Sequence, residues 1–277
     1  MNIYYLGPPG SYSEIVAKKI FTTSGHALVP VDAFIDVAQQ VEQDGMGILG
    51  IENSTSSSVH ESVDHIFHSD VHIIGEVSMN IELHLGGIKD ASFTDITDVY
   101  SHTQALAQCS IFIKENNLKI HQTSSTASAI DEVLTLNDSS KAAIGGKKSI
   151  EEKGMGVVAE HIGNTENNMT RWVIISRNPE SLLQPINKVT YAFLVKHEPG
   201  SLVRALQAIA NAKGNMTKIE SRPVPGSDWE YEFWVDVEIP EGSLDIINNA
   251  IAQSTLTHRR IGAYQKGTLY TESYENN

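Results

Sequence analysis

Short apolar runs alternate along the chain with longer stretches whose apolar residues recur at helical spacing. Ile3 to Leu6 and Ile48 to Ile51 are compact, bounded runs of the kind that form buried strands. The stretches Ile15 to Phe21 and Val59 to Phe67 follow them with apolar positions three and four apart, and are predicted to be helices. Further strands are predicted over Val71 to Ile81, Val99-Tyr100, Ala142 to Ile144, Val157 to Ala159 and Trp172 to Ile175, with helices over Gln104 to Asn116 and Ala127 to Leu136. This alternation predicts an α/β architecture with largely parallel sheets.

Asn178 to Lys188 is polar, holds Pro179 and Pro185, and reads as a boundary. Beyond it the rhythm changes. Val189 to Lys196 alternates like a strand, and Ser201 to Lys213 carries Leu202, Leu206, Ile209 and Ala210 at helical spacing, with Gly214 as its expected C′ residue. Lys218 to Val224 and Glu230 to Ile239 form a strand pair around Pro225-Gly226-Ser227; Leu244 to Ala252 is a helix and Arg260 to Tyr264 a last strand. The order βαββαβ within about 80 residues is the ferredoxin-like plan. The expected division is a first domain over 1–180, a second over 188–266 and a loose tail over 267–277.

Three stretches read as capped helix starts. They are Ser11-Tyr12-Ser13-Glu14, Ser58-Val59-His60-Glu61 and Ser101-His102-Thr103-Gln104, each with Ser at the cap position and Glu or Gln three residues on, and each after a strand. A helix start offers free backbone N–H groups and the positive end of the helix dipole. Several such starts gathered beyond the ends of strands would make a cleft suited to a small anion. The same pattern also serves simply to begin helices.

Charge and cysteine content narrow the class. The 277 residues carry a net charge of −14, which argues against a nucleic-acid or anionic-membrane binder. Local cations and helix ends still allow an anionic substrate. The single cysteine, Cys109, excludes an intrachain disulfide and fits a reducing compartment. The N-terminus lacks the basic and long apolar stretches of a signal peptide, and no apolar run reaches the ~20 residues of a membrane span. A cytoplasmic location is therefore expected.

Seven segments, in order, resemble the prephenate dehydratase family. Five lie in the first domain: Tyr5 to Glu14, Gly50-Ile51-Glu52-Asn53-Ser54 running on to Ser58-Val59, Ser101 to Leu106, Ser125-Thr126-Ala127, and Asn168-Met169-Thr170-Arg171-Trp172. Two lie in the second: Pro199-Gly200-Ser201-Leu202 and Ile219-Glu220-Ser221-Arg222-Pro223. The resemblance implies a two-lobed, periplasmic-binding-protein-like catalytic domain with its active site in the cleft, followed by a ferredoxin-like ACT domain that binds phenylalanine where two copies meet. It implies conversion of prephenate to phenylpyruvate in phenylalanine biosynthesis, feedback by phenylalanine, and a homodimer or homotetramer. The chain begins at the first dehydratase strand, leaving no room upstream for a helical chorismate mutase domain, so a monofunctional enzyme is expected.

The same resemblance assigns roles. Thr170 is the catalytic hydroxyl. Ser11, Asn53, Ser54, Ser58, Ser101, Gln104 and Thr126 are expected to bind substrate through neutral hydrogen bonds. Arg171 is either the bidentate clamp on a substrate carboxylate or, if Thr170 faces the cleft, a side chain turned away by strand alternation. Glu52 is expected to brace its own loop or a cation. Pro199, Gly200, Ser201, Leu202, Asn215, Met216, Glu220, Ser221, Arg222 and Pro223 are expected to line the phenylalanine site. The reaction needs no cofactor and no metal. Departures from the family pattern are Pro9 for Glu, Ser11-Tyr12 for Thr-Phe, Ser57 for Gly, Thr103 for Pro, Trp172 for Phe, and Asn164 for Asp.

Other signals are weaker. His60, His65, His68, His72 and His84 suggest a metal cluster, but His60-Glu61 to His65 is i,i+5 rather than the i,i+4 of a zinc helix, and these histidines are expected to face solvent. Gly145-Gly146-Lys147-Lys148-Ser149 lacks the first glycine of a phosphate loop. Two rival functions remain: an arogenate dehydratase using the same site, and an amino-acid-sensing module without catalysis.

Overall fold

The computed structural model describes residues 1–21, 25–224, 226 and 230–270. It opens with β1 (Asn2–Leu6), α1 (Tyr12–Phe21), β2 (Ala27–Val31), α2 (Phe34–Gln43), β3 (Met46–Asn53), β4 (Ser57–Ser58), α3 (His60–His68) and β5 (His72–Asn80). A crossover at 81–83 then leaves this first lobe. The second lobe comprises β6 (His84–Gly87), β7 (Asp98–His102), α4 (Thr103–Gln108), α5 (Ser110–Glu115), β8 (Lys119–Thr123), α6 (Thr126–Leu136), β9 (Lys141–Gly145), α7 (Lys147–Glu152) and β10 (Gly156–Ala159). A second crossover, 160–168, returns to the first sheet as β11 (Met169–Ser176).

The sheets are mixed rather than largely parallel. β1 pairs parallel with β2 and β3, but β11 runs antiparallel between β3 and β5 because it returns from the other lobe. In the second lobe β7 is parallel to β8 and β9, while β6 and β10 run against their neighbours. The elements that the pattern did not reveal are informative. β2 contains Pro30 and lies at the sheet edge, where a missing N–H is tolerated. β8 is another edge strand and is largely polar. The helix expected over Gln104 to Asn116 breaks at buried Cys109 into two six-residue helices.

The remaining elements are β12 (Lys188–Leu194), α8 (Ser201–Asn211), β13 (Asn215–Pro223), β14 (Tyr231–Glu238), α9 (Leu244–Ser254), β15 (Thr257–Tyr264) and β16 (Thr268–Tyr270). The first six have the expected βαββαβ order, and their four strands lie β13-β14-β12-β15. The left-handed residue after α8 is Lys213 (φ 63°), not Gly214. Gly214 is required for space, since a Cβ there would lie 2.6 Å from a Val237 methyl. Of the turn expected at 225–227, Pro225 and Ser227 lie outside the described residues.

This C-terminal unit does not hang from a linker. β15 lies parallel to β5 at Gly262 and Ile73, so its four strands join the first-lobe sheet. Glycine permits the approach: a Cβ at 262 would lie 2.2 Å from the Ile73 carbonyl oxygen. Trp234, Ile261 and Tyr264 share an apolar core with Val63, Ile66 and Val173 of the first lobe. Residues 268–270, expected in the tail, form β16 against β5, while 271–277 lie outside the described residues. No helix among the described residues is long and apolar enough to cross a membrane.

Candidate active site

The two lobes face each other across a cleft of about 390 Å³. Its floor is the end of the first-lobe sheet, where Thr170 on β11 stands beside Asn53 on β3. The starts of α1 and α6 flank it, bringing Ser11 and Thr126 to the wall, and Gln104 enters from α4. Leu6, Phe34, Val59, Ile81 and Leu83 supply an apolar lining. Among the described residues no lysine or arginine lines this cleft.

Thr170 is held through one hydrogen-bond hub. Asn53 Nδ2 donates to Thr170 Oγ1 at 2.8 Å and to Asn168 Oδ1 at 2.7 Å. Asn53 Oδ1 accepts from Thr55 N–H at 2.9 Å, Thr55 Oγ1 at 2.6 Å and Ser56 Oγ at 3.2 Å. Gln108 Nε2 adds a bond to Thr55 Oγ1 at 2.6 Å, and Asn168 Nδ2 donates to Gln108 Oε1 at 3.1 Å. These bonds fix the orientation of the Asn53 amide. Thr170 Oγ1 thus receives a proton donor from behind, which leaves its own O–H to point at a bound molecule.

Residues 3–180 match the family model described as prephenate dehydratase. The chain belongs to the prephenate dehydratase family. It is 32% identical over 267 residues to the prephenate dehydratase of Methanocaldococcus jannaschii, covering 95% of this chain and 97% of that one. It is 33% identical over 244 residues to the bifunctional chorismate mutase/prephenate dehydratase of Buchnera aphidicola. That match covers 86% of this chain and 63% of the relative, less than two thirds of its length. The crystal structure of the prephenate dehydratase from Staphylococcus aureus matches with TM-score 0.84 and 25% identity, over 96% of this chain and 100% of that one. The prephenate dehydratase of Arthrobacter aurescens, solved in complex with L-Phe, matches the fold with TM-score 0.86 at 24% identity, over 96% and 90% of the two chains.

Arg171 does not enter the dehydratase cleft. Strand alternation turns it to the opposite face, where it is buried: Nε reaches Glu52 Oε1 at 2.9 Å, Nη1 reaches Glu76 Oε2 at 2.9 Å and Nη2 reaches Asp236 Oδ2 at 2.6 Å. Lys188 joins Glu76 at 2.7 Å, and Lys218 joins Glu52 at 2.9 Å. In this arrangement protein carboxylates engage all three guanidinium nitrogens in place of a substrate carboxylate, and Glu52 braces cations as expected. Burial alone would raise the Glu52 and Asp236 carboxyls, but the adjoining Arg171, together with Lys218 or Lys188, holds both below the ordinary carboxylate range.

Three expected substrate ligands also serve other ends. Ser101 lies inside β7, fully buried, and its hydroxyl donates to the Ile144 carbonyl at 2.7 Å. Ser58 lies in β4, not at a helix cap, and its hydroxyl donates to Glu220 Oε2 at 2.6 Å. Ser54 ties down the Thr170 loop, donating to Asn167 O at 3.1 Å and accepting from Met169 N–H at 2.9 Å. The helices behind the last two capping patterns begin one residue late, with Val59 and His102 as caps. Only Ser11 caps as expected, accepting from Glu14 N–H at 3.3 Å.

Sequence reading missed His102, Gln108, Ser124, Ser125 and Trp172 on the cleft wall. Gln108 was within reach, because it follows Gln104 by one helical turn. His102 Nδ1 accepts Gln104 N–H at 3.3 Å, which places the ring proton on Nε2, and burial lowers the pKa of the imidazole. Two departures from the family pattern add bonds that phenylalanine could not make. Trp172 Nε1 donates to Ser13 Oγ at 3.2 Å, and Tyr12 OH donates to Glu82 O at 2.9 Å. Ser57, where glycine is usual, stands at φ 73°. Asn164, where aspartate is usual, accepts from Ile111 N–H at 3.1 Å and donates to Ala107 O at 3.2 Å, bracing α4 and α5. His84, expected at the surface, is buried.

In the C-terminal unit, Pro199, Ser201 and Leu202 line a cavity of about 400 Å³ together with Tyr231 and Phe233. Gly200 caps α8 at φ 79°. Asn215, Met216, Ser221 and Pro223 lie on edge strand β13 and do not line that cavity. Glu220 and Arg222 turn from β13 toward the catalytic lobe: Glu220 meets His60 Nδ1 at 2.9 Å, and Arg222 Nε donates to Asp64 at 2.7 Å.

Proposed function

We propose that the cleft binds prephenate and that Thr170 donates a hydrogen bond to its departing C4 oxygen. The reaction is the decarboxylating dehydration of prephenate to phenylpyruvate. Electrons from the bond to the leaving carboxylate pass through the diene and expel hydroxide, giving carbon dioxide, an aromatic ring and, with one proton, water. The single observation that carries the assignment is the 2.8 Å bond in which Asn53 donates to Thr170 Oγ1 and frees the Thr170 proton for substrate. A threonine hydroxyl is a poor acid, so its role is a positioned donor that relays a proton rather than owning one.

Neutral donors and helix ends then carry the recognition of two carboxylates. The α1 and α6 starts present Ser11 and Thr126 with backbone N–H groups behind them, and Gln104 adds an amide. His102 joins this set as a neutral Nε2–H donor, since protonating Nδ1 would oppose the Gln104 N–H and place a cation at a helix start. The two-lobed catalytic part follows the periplasmic-binding-protein-like plan, and the βαββαβ unit is an ACT domain. Its cavity at Pro199, Ser201 and Leu202 is half of a phenylalanine site that a second copy completes, with Gly200, Asn215, Met216, Ser221 and Pro223 near the shared edge. The Arthrobacter aurescens complex with L-Phe supports that effector. A single dehydratase activity follows the name of the M. jannaschii relative, almost all of whose length is covered, and a cytoplasmic location fits the single cysteine.

The test incubates the chain with prephenate and follows phenylpyruvate, with arogenate as competing substrate and phenylalanine as additive. Phenylpyruvate from the unchanged chain, little from Thr170→Ala and slowing by phenylalanine are expected. No product from prephenate sinks the reading of the reaction. Faster turnover of arogenate would reassign the substrate, and indifference to phenylalanine would remove the effector.

A further inference from the structure

We infer that Glu82, His84 and His161 form a binding site for a divalent transition-metal ion of the Zn²⁺ class, placed across the junction of the two lobes. The site is independent of the dehydratase reading and runs against the sequence expectation of no metal. Glu82 lies on the first crossover and His84 opens β6 directly after it, while His161 lies on the second crossover. The crossovers run side by side: Ile162 N–H donates to Leu83 O at 2.9 Å and Ile81 N–H to Asn168 O at 2.7 Å. Folding alone therefore brings together residues almost eighty positions apart.

The ligand atoms of all three lie within 4.8 Å of one another. One carboxylate oxygen, Glu82 Oε2, is 3.7 Å from His161 Nδ1 and 3.9 Å from His84 Nε2. Tetrahedral coordination at about 2.0–2.1 Å sets ligand atoms roughly 3.4 Å apart. The two Glu82 distances need to shorten by no more than about half an ångström, which rotation of the exposed His161 and partly exposed Glu82 side chains supplies. Glu160, also close to His161, is held by Lys147 at 2.7 Å, so Glu82 is the carboxylate left to coordinate.

His84 is the observation that points to a ligand. It is 1% exposed, yet its Nε2 has no hydrogen-bond partner among the described residues and faces Glu82. An unsatisfied buried imidazole nitrogen is costly. Its Nδ1 accepts one long bond, from His161 N–H at 3.3 Å. On metal binding the Nε2 lone pair goes to the ion, the ring proton moves to Nδ1, and that long bond is released, with the exposed His161 backbone turning to water. Two imidazoles and one carboxylate leave the fourth position for a water molecule. Access is open, because Glu82 and His161 line a cavity of about 460 Å³.

The test needs no turnover. Zn²⁺ is titrated into the metal-free chain of 277 residues with heat of binding as the readout. One ion per chain is expected, with affinity at least about tenfold weaker in His161→Ala and in Glu82→Gln, the loss that even an outer-shell change brings. Neither side chain is deeply buried, and a melting temperature unchanged in chelator shows that each variant still folds. No stoichiometric uptake by the unchanged chain overturns the site. So does affinity in both variants unchanged from that of the unchanged chain, or binding that disappears only when His60, His65 and His68 are replaced.

Discussion

Thr170 and Arg171 are neighbours on one strand and serve opposite kinds of surface. On the cleft side, Thr170 and Asn53 stand among hydroxyls, amides and helix starts, with no lysine or arginine at the wall among the described residues. On the other side, one residue along both β3 and β11, Glu52 and Arg171 open a buried seam of charges that reaches Glu76, Lys188, Lys218 and Asp236. The side proposed to meet a dianion is neutral, and the side whose charges pair with one another is ionic. A cation at the cleft wall would hold substrate and monoanionic product alike. Neutral donors can instead be aimed at the atoms where charge develops, and only interactions stronger in the transition state raise the rate.

The sharpest way to break this contrast is Arg171→Ala. Removing Arg171 leaves fully buried Asp236 without its ion-pair partner, and Glu52 and Glu76 with Lys218 and Lys188 alone, and should cost about 3 to 5 kcal/mol in urea unfolding. A cleft clamp would instead raise KM and leave stability unchanged. Thr170→Ala should do the reverse, lowering kcat about a hundredfold, close to 3 kcal/mol of barrier, with the urea midpoint unmoved. Acid separates the two faces again. The seam carboxyls have folded pKa values below their unfolded ones, so their contribution is present above the unfolded value and lost as pH falls through the folded one. Stability should therefore hold from neutrality to about pH 5 and decline below about pH 4. Asp236→Asn should flatten that decline, as urea midpoints across the range would show. The smallest effect belongs to Tyr12→Phe, which restores the residue usual in the family and removes the bond to Glu82 O; about 1 kcal/mol or less is expected from thermal melts.

The sequence carried the architecture where each element had its own apolar period, as in the alternating strands and amphipathic helices of the C-terminal unit. It failed where an element was short and at an edge, as with Pro30 in β2 and the polar β8. Ser11 and Gln104 were legible as cleft residues because the motif and the strand-to-helix position agreed, and Thr170, Asn53 and Thr126 through the family motifs alone. Ser58 and Ser101 were misread because a capping pattern does not say at which residue a strand ends. Ser58 falls in the separate short strand β4, and β7 runs on through Ser101 to His102. The fate of Arg171 was written in alternation, although its partners, such as Asp236 far along the chain, could come only from the fold. The pairing of His84 with His161 was equally closed to local pattern, since each lies on a different crossover.

The contact of Gly262 with Ile73 makes the boundary near 180 a poor place to cut. A fragment ending there would lose both β15 and β16 and expose the backbone of β5 as an open edge beside Ile73 and Val77. An unpaired apolar edge invites another chain to add to it. The isolated catalytic fragment would therefore be sticky before it was inactive. The C-terminal unit has been built into the sheet that shapes the floor of the cleft rather than appended to it.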